Sequence, residues 1–143
     1  MNMAYREKIA WLALVAMALA YGPLFALLGR ETATGWPALM RFLFLFGAAS
    51  AVRVLIEIGG RIVLHVRLGA EAREPADERD RAIAARSSSF AYLVLLVGMI
   101  IVGMVMPFSA QGVAIVTAAL VAIVAAEAIR CLAIALGYRL GWQ

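Results

Sequence analysis

Glu74-Pro75-Ala76-Asp77-Glu78-Arg79-Asp80-Arg81-Ala82-Ile83-Ala84-Ala85-Arg86-Ser87-Ser88-Ser89 is the longest polar stretch in an otherwise apolar chain. It holds four of the nine acidic residues and divides the 143 residues into two apolar halves of similar size. Pro75 and Asp77 read as a helix start, with acids gathered where the helix dipole favours negative charge. Asp77 and Arg81 lie four apart, acid first, the better order for an ion pair along a helix. The stretch therefore predicts a helix that begins in water near Ala76 and enters a membrane around Phe90.

The membrane follows from composition. Hydrophobic residues make up 65% of the chain, charged residues 15%, and the mean hydropathy is +0.93. A soluble domain usually carries about 25% charged residues. Moving outward from the polar stretch, four apolar runs can each cross a hydrocarbon layer of about 30 Å at about 1.5 Å per residue. They cover about 9–28, 38–66, 90–106 and 113–136, with residues 67–89 between the second and third. Ala18-Leu19-Ala20 imitates a signal-peptide cleavage site, but the apolar run continues through Leu24–Leu28, so it reads as a span. Gly22-Pro23 should bend it, because proline lacks an N–H and crowds the preceding turn. Gly69 is the expected stop of the second helix.

Lys and Arg set the orientation. Arg6, Lys8, Arg67, Arg73, Arg79, Arg81, Arg86 and Arg139 fall on one side of the four spans, Arg30 and Arg41 on the other. The expected fold is all-α: a four-transmembrane-helix bundle of two antiparallel hairpins, both termini in the cytosol, the third helix extended into the cytosol. The net charge of +4 is thereby accounted for by residues flanking apolar runs, and no direct nucleic-acid binding is expected. Arg67-Leu68-Gly69 and Arg139-Leu140-Gly141 form a faint echo at the ends of the second and fourth spans.

The constellation with the most chemical content lies inside the apolar runs. Arg53, Glu57 and Arg61 are spaced four apart on one face of the second helix, and Glu127 and Arg130 three apart on the fourth. Counted from Pro37 and Val113, the two glutamates lie about 30 Å and 21 Å along their helices, toward the cytosolic edge. Charges at membrane depth cost several kcal/mol unless paired or hydrated. Two readings follow: ion pairing that holds the bundle together, or a polar cavity that binds an anion, a lipid headgroup or a proton. Ala114, Ala118, Ala122 and Ala126 make a small-residue ridge suited to close packing, within the bundle or in a homodimer, with Gly47-Ala48-Ala49-Ser50-Ala51 as a partner patch.

Other chemistry is thinly represented. One cysteine, Cys131, excludes an intramolecular disulfide and any multi-cysteine metal site, and one histidine, His65, excludes a bis-His haem or a His-based zinc site within one chain. No phosphate-cradling glycine loop or Ser-His-Asp set is present. The expectation is a protein that is not an enzyme, with no catalytic residue, cofactor or metal.

Asp77-Glu78-Arg79-Asp80, followed by Ile83 and Arg86 leading into an apolar helix, resembles a motif of small uncharacterised prokaryotic four-span membrane proteins with a cytosolic Asp-Glu-Arg signature between two hairpins. Such proteins are often encoded beside a small helix-turn-helix regulator. The resemblance implies a multi-pass protein of the bacterial inner (plasma) membrane. It also implies that Asp77, Glu78, Arg79 and Asp80 matter. The mixed charges of segment 71–86 suggest a cytosolic regulatory partner, bound or restrained there, with Asp77, Glu78, Arg79, Asp80, Arg81 and Arg86 as docking candidates. The alternative is a small dimeric transporter, or a lipid- or anion-binding protein, that uses Arg53, Glu57, Arg61, Glu127 and Arg130.

Overall fold

The computed structural model describes residues 5–28, 35–73, 75, 77–110 and 112–141. The link carrying Arg30, the residues Glu74 and Ala76, and the side chains of 70–73 lie outside that description. Four helices result: α1 (Tyr5–Leu28), α2 (Trp36–Arg73), α3 (Glu78–Ile100) and α4 (Gly112–Leu140). All four are long and apolar enough to cross a membrane, by length and composition.

The helix ends follow from local chemistry. Asp77 caps α3: its Oδ1 accepts from the Asp80 backbone N–H (2.7 Å), and Asp80 Oδ2 accepts from the Asp77 N–H (3.3 Å). Two amide groups that helix geometry leaves without partners are thus satisfied reciprocally. Asp77 is therefore a cap, and the helix begins two residues later than the sequence suggests. The other end of α3 loosens into a π turn over Ile101–Val105 and a 3-10 turn over Met106–Phe108. Pro107 is the physical cause, since it cannot donate and its ring crowds the carbonyl four residues back. Pro23, by contrast, lies inside α1, which runs on to Leu28. Gly69 interrupts α2 with non-helical dihedrals (φ 12°, ψ −69°), although helix resumes as far as Arg73. Gly141 follows α4 with φ +66°, the left-handed conformation that glycine adopts without a Cβ penalty. The two glycines of the Arg-Leu-Gly echo both stand where helix is interrupted.

Burial is uneven. In α1, 39% of the membrane-span window is buried, against 6% in each of α2, α3 and α4, so α1 is the inner helix. It packs on α2 and on α4, and α4 packs on α3. Among the described residues α2 and α4 meet at few places, and α2 and α3 form no extended contact. The helices therefore follow the order α2, α1, α4, α3 and leave a gap between α2 and α3. Large apolar side chains such as Phe44, Leu55, Val66 and Met104 are exposed, as expected where the outer solvent is lipid.

Small residues govern the close contacts. Ala10, Ala13, Ala16 and Ala20 are buried along α1. A Cβ added at Gly98 would stand 2.7 Å from Ala122 Cβ, so α3 approaches the alanine ridge of α4 at that point. The ridge thus serves the α3–α4 contact, and the expected pairing with Gly47–Ala51 is replaced there: Ala49 packs on the α1 core of Ala13, Met17, Tyr21 and Leu24, which Cys131 joins. Phe46 stacks on Tyr21 (5.3 Å between centroids). The Tyr21 hydroxyl meets Ser50 Oγ at 3.0 Å, and Ser50 Oγ donates to the Phe46 carbonyl.

Candidate functional site

Two tiers of charge are present, one at the ends of α1, α3 and α4 and one deeper, in the middle of α2 and α4. In the inner tier, the glutamates on α2 and α4 share arginines. Arg53 Nε donates to Glu57 Oε1 at 2.7 Å, and Arg53 Nη2 stands 3.7 Å from Glu127 Oε1. Arg61 Nη2 lies 3.5 Å from Glu57 Oε2, and Arg130 Nη1 lies 3.3 Å from Glu127 Oε1. All five residues expected to form a layer are brought together. Arg53 is its linchpin: it bridges α2 to α4, and its guanidinium sits 6.0 Å from the centre of the Tyr21 ring on α1. At that distance an arginine gains a modest attraction from the ring face.

The outer tier joins the start of α1 to α3 and the end of α4. Arg6 Nε pairs with Asp80 Oδ2 at 3.0 Å, and the Tyr138 hydroxyl donates to Asp80 Oδ1 in a short hydrogen bond. Arg139 Nε donates to Glu7 Oε1 at 3.0 Å across 132 positions of chain. The Arg139 guanidinium also lies 5.3 Å from the centre of the Trp11 ring. Glu7 is nearly fully buried, so this partner is what makes its charge tolerable.

The tiers enclose a cavity of about 230 Å³. Glu57, Arg61, Glu127 and Arg130 line one side of it, and Arg6, Asp80 and Tyr138 another. Ala10 and Ala13 of α1, Ile83 and Ala84 of α3, and Cys131 and Ile134 of α4 supply apolar wall. α3 thus meets the cavity through Asp80, Ile83 and Ala84. Arg53 stands behind both glutamates, on the side of a second space of about 570 Å³. That cleft is bounded by Phe46 on α2, Ala91, Tyr92 and Leu95 on α3, and Ile123 and Val124 on α4, with Tyr21, Arg53 and Glu127 also in its wall. Glu127 belongs to both spaces. Ser87 sits on α3 between the cavity-lining and cleft-lining residues, fully buried, with no hydrogen-bond partner for its Oγ.

The expected docking residues separate into two groups. Asp80, expected to face a partner, is turned inward and holds Arg6 and Tyr138. Asp77 is the helix cap. Glu78, Arg79, Arg81 and Arg86 are exposed. Sequence reasoning missed Arg6, Glu7, Tyr138 and Arg139. The available signal was the lone acid Glu7 in a basic head, together with the prediction that both termini share one side of the membrane.

Chemically, the site offers donors in excess. Both oxygens of Glu57 and Oε1 of Glu127 are engaged by arginines. Each guanidinium carries five N–H donors, and Arg61 and Arg130 each direct a single amino nitrogen at these acids within the network. The cavity lining balances three arginines (6, 61, 130) against three carboxylates (57, 80, 127), and Arg53, behind Glu57 and Glu127, brings the network to an excess of one positive charge. Among the described residues no group of three or more His, Cys, Asp or Glu could hold a metal ion. No protein-family model, curated protein sequence or solved structure matches the chain.

Proposed function

We propose that this chain is a small multi-pass protein of a bacterial inner membrane that acts by binding, and that the charged cavity receives a small anionic group such as a phosphate. The distribution of Lys and Arg supports placing both termini, and hence the Arg6–Asp80–Tyr138 side of the cavity, in the cytosol. The observation that carries the reading is that Arg53 engages Glu57 and Glu127 from behind while Arg61 and Arg130 each spend one amino nitrogen on these acids, so that further N–H donors remain on the cavity side. Planar guanidinium groups suit the bidentate recognition of phosphate oxygens. Arg61 and Arg130 are about half exposed, so a ligand from water or from the headgroup layer can reach them.

The test is thermal unfolding of the purified chain with rising glycerol 3-phosphate, using choline as a cationic control. At a hundredfold excess over Kd, a ligand bound only by the folded state stabilises by about 2.7 kcal/mol. A saturable rise in Tm with glycerol 3-phosphate, absent with choline and absent in the Arg61→Gln/Arg130→Gln variant, is expected. No saturable rise in the unaltered protein would remove the reading.

A second reading is favoured by one contact. Asp80 belongs at once to the polar stretch before α3 and to the cavity wall. A partner docked on the exposed Glu78, Arg79 and Arg81 would thus sense occupancy through the α3 start. Charge reversal at Glu78 and Arg79 with unchanged recruitment of partners from the cytosol, at equal membrane abundance, would eliminate it.

A further inference from the structure

The position of the cleft beside the cavity narrows the class of ligand. We propose that the ligand is an anionic phospholipid that enters from the side, its headgroup phosphate in the charged cavity and one acyl chain in the cleft between α2 and α3. This rests on the anion-binding reading above and adds the source and the route.

Three observations carry it. First, the two spaces share Glu127 as a wall, and the Arg53–Glu57–Glu127 contacts mark the boundary between a charged compartment and one lined mainly by Phe46, Leu95, Ile123 and Val124. An amphiphile has the same sequence of polar and apolar parts. Second, the cleft lies where α2 and α3 form no extended contact, so it opens between two helices whose flanks carry exposed apolar side chains, the side that lipid would cover. A water-soluble ligand would have no use for that route. Third, the cleft volume of about 570 Å³ suits an organic ligand, whereas the cavity of about 230 Å³ is smaller than most such sites and suits a headgroup. The charges lining the cavity balance, and Arg53 behind its wall adds the one positive charge that favours an anionic over a zwitterionic headgroup. Electrostatic attraction of basic residues to anionic lipid is worth about 1 kcal/mol per residue near the surface.

The full chain is reconstituted in bilayers of equal parts phosphatidylglycerol and phosphatidylcholine, extracted, and read by native mass spectrometry. The tail-less headgroup glycerophosphoglycerol is titrated in parallel by thermal unfolding. Retention of phosphatidylglycerol over phosphatidylcholine by about tenfold is expected, from one to two basic residues acting on the charge difference. Leu95→Trp and Ile123→Trp fill the cleft from two different helices. Each should abolish lipid retention while leaving the headgroup titration intact, and Arg61→Gln/Arg130→Gln should lose both. If the headgroup binds but neither cleft variant alters lipid retention, the lateral route is wrong and the anion reading stands. If neither headgroup nor lipid binds, both fail. Equal retention of the two lipids refutes the selection for negative charge. A protein dimer whose contact is broken by Leu95→Trp overturns the proposal by giving the cleft to a second copy.

Discussion

The two tiers of charge use the same residue types and do different work. In the outer tier, bonds are short and connect distant parts of the chain: Arg6 with Asp80, Tyr138 with Asp80, Glu7 with Arg139. In the inner tier, most pairs are neighbours three or four apart on one helix, and two of them are stretched to 3.3 and 3.5 Å. One group, Arg53, serves two carboxylates on different helices. The outer tier is a clamp that fixes the ends of α1, α3 and α4. The inner tier is a shared network whose outward donors are incompletely used. The comparison teaches that the same residue types can tie distant helix ends together in one tier and share a single arginine between two helices in the other.

Five variants can break or sharpen this contrast, each measured by reversible unfolding of the purified protein in detergent. The largest loss is expected for Glu57→Ala, which leaves Arg53 and Arg61 without their shared acceptor. Removing one partner of a mostly buried pair costs about 3 kcal/mol. The double change Arg53→Met/Glu57→Leu should cost less than Glu57→Ala alone, since it removes charge on both sides; a larger loss would mean that the inner tier holds the fold by attraction.

Asp80→Ala comes next. It removes the Arg6 pair, the acceptor for Tyr138 and half of the capping box, for a loss of about 2 kcal/mol. Tyr138→Phe deletes only one hydrogen bond and should cost about 1 kcal/mol. In a double-mutant cycle the two losses should fall short of additive by about 0.5 kcal/mol or more, the mark of residues in contact. Strict additivity would dissolve the clamp as a unit. The smallest effect belongs to Ser87→Ala. Its Oγ is buried without a partner, so its removal should leave stability unchanged or raise it by up to about 1 kcal/mol. A clear loss would show that Ser87 serves the boundary between the cavity and the cleft.

The inner tier was readable before any coordinates because helical spacing alone places Arg53, Glu57 and Arg61 on one face. The outer tier was not, because Glu7 and Arg139 are brought together only after four helices have crossed and returned. Asp80 illustrates the difficulty best. Its position in an acidic helix start suggests a solvated charge, and only the end of α4 passing beside it turns it into a partly buried acceptor. Likewise the alanine ridge announces close packing, but not that Gly98 is what it meets.

By itself, the amino-acid sequence determined the number of helices, their approximate extents and the polar stretch that opens α3. These depend on hydrophobic run length and on cap and turn chemistry, both of which are local. Only the tertiary structure decided the order α2, α1, α4, α3, the gap between α2 and α3, and the cavity between the tiers. The physical reason is that in lipid every face of a helix is apolar, so periodicity does not mark the face that packs. Small residues and shape make that choice, and they act only when the helices are side by side.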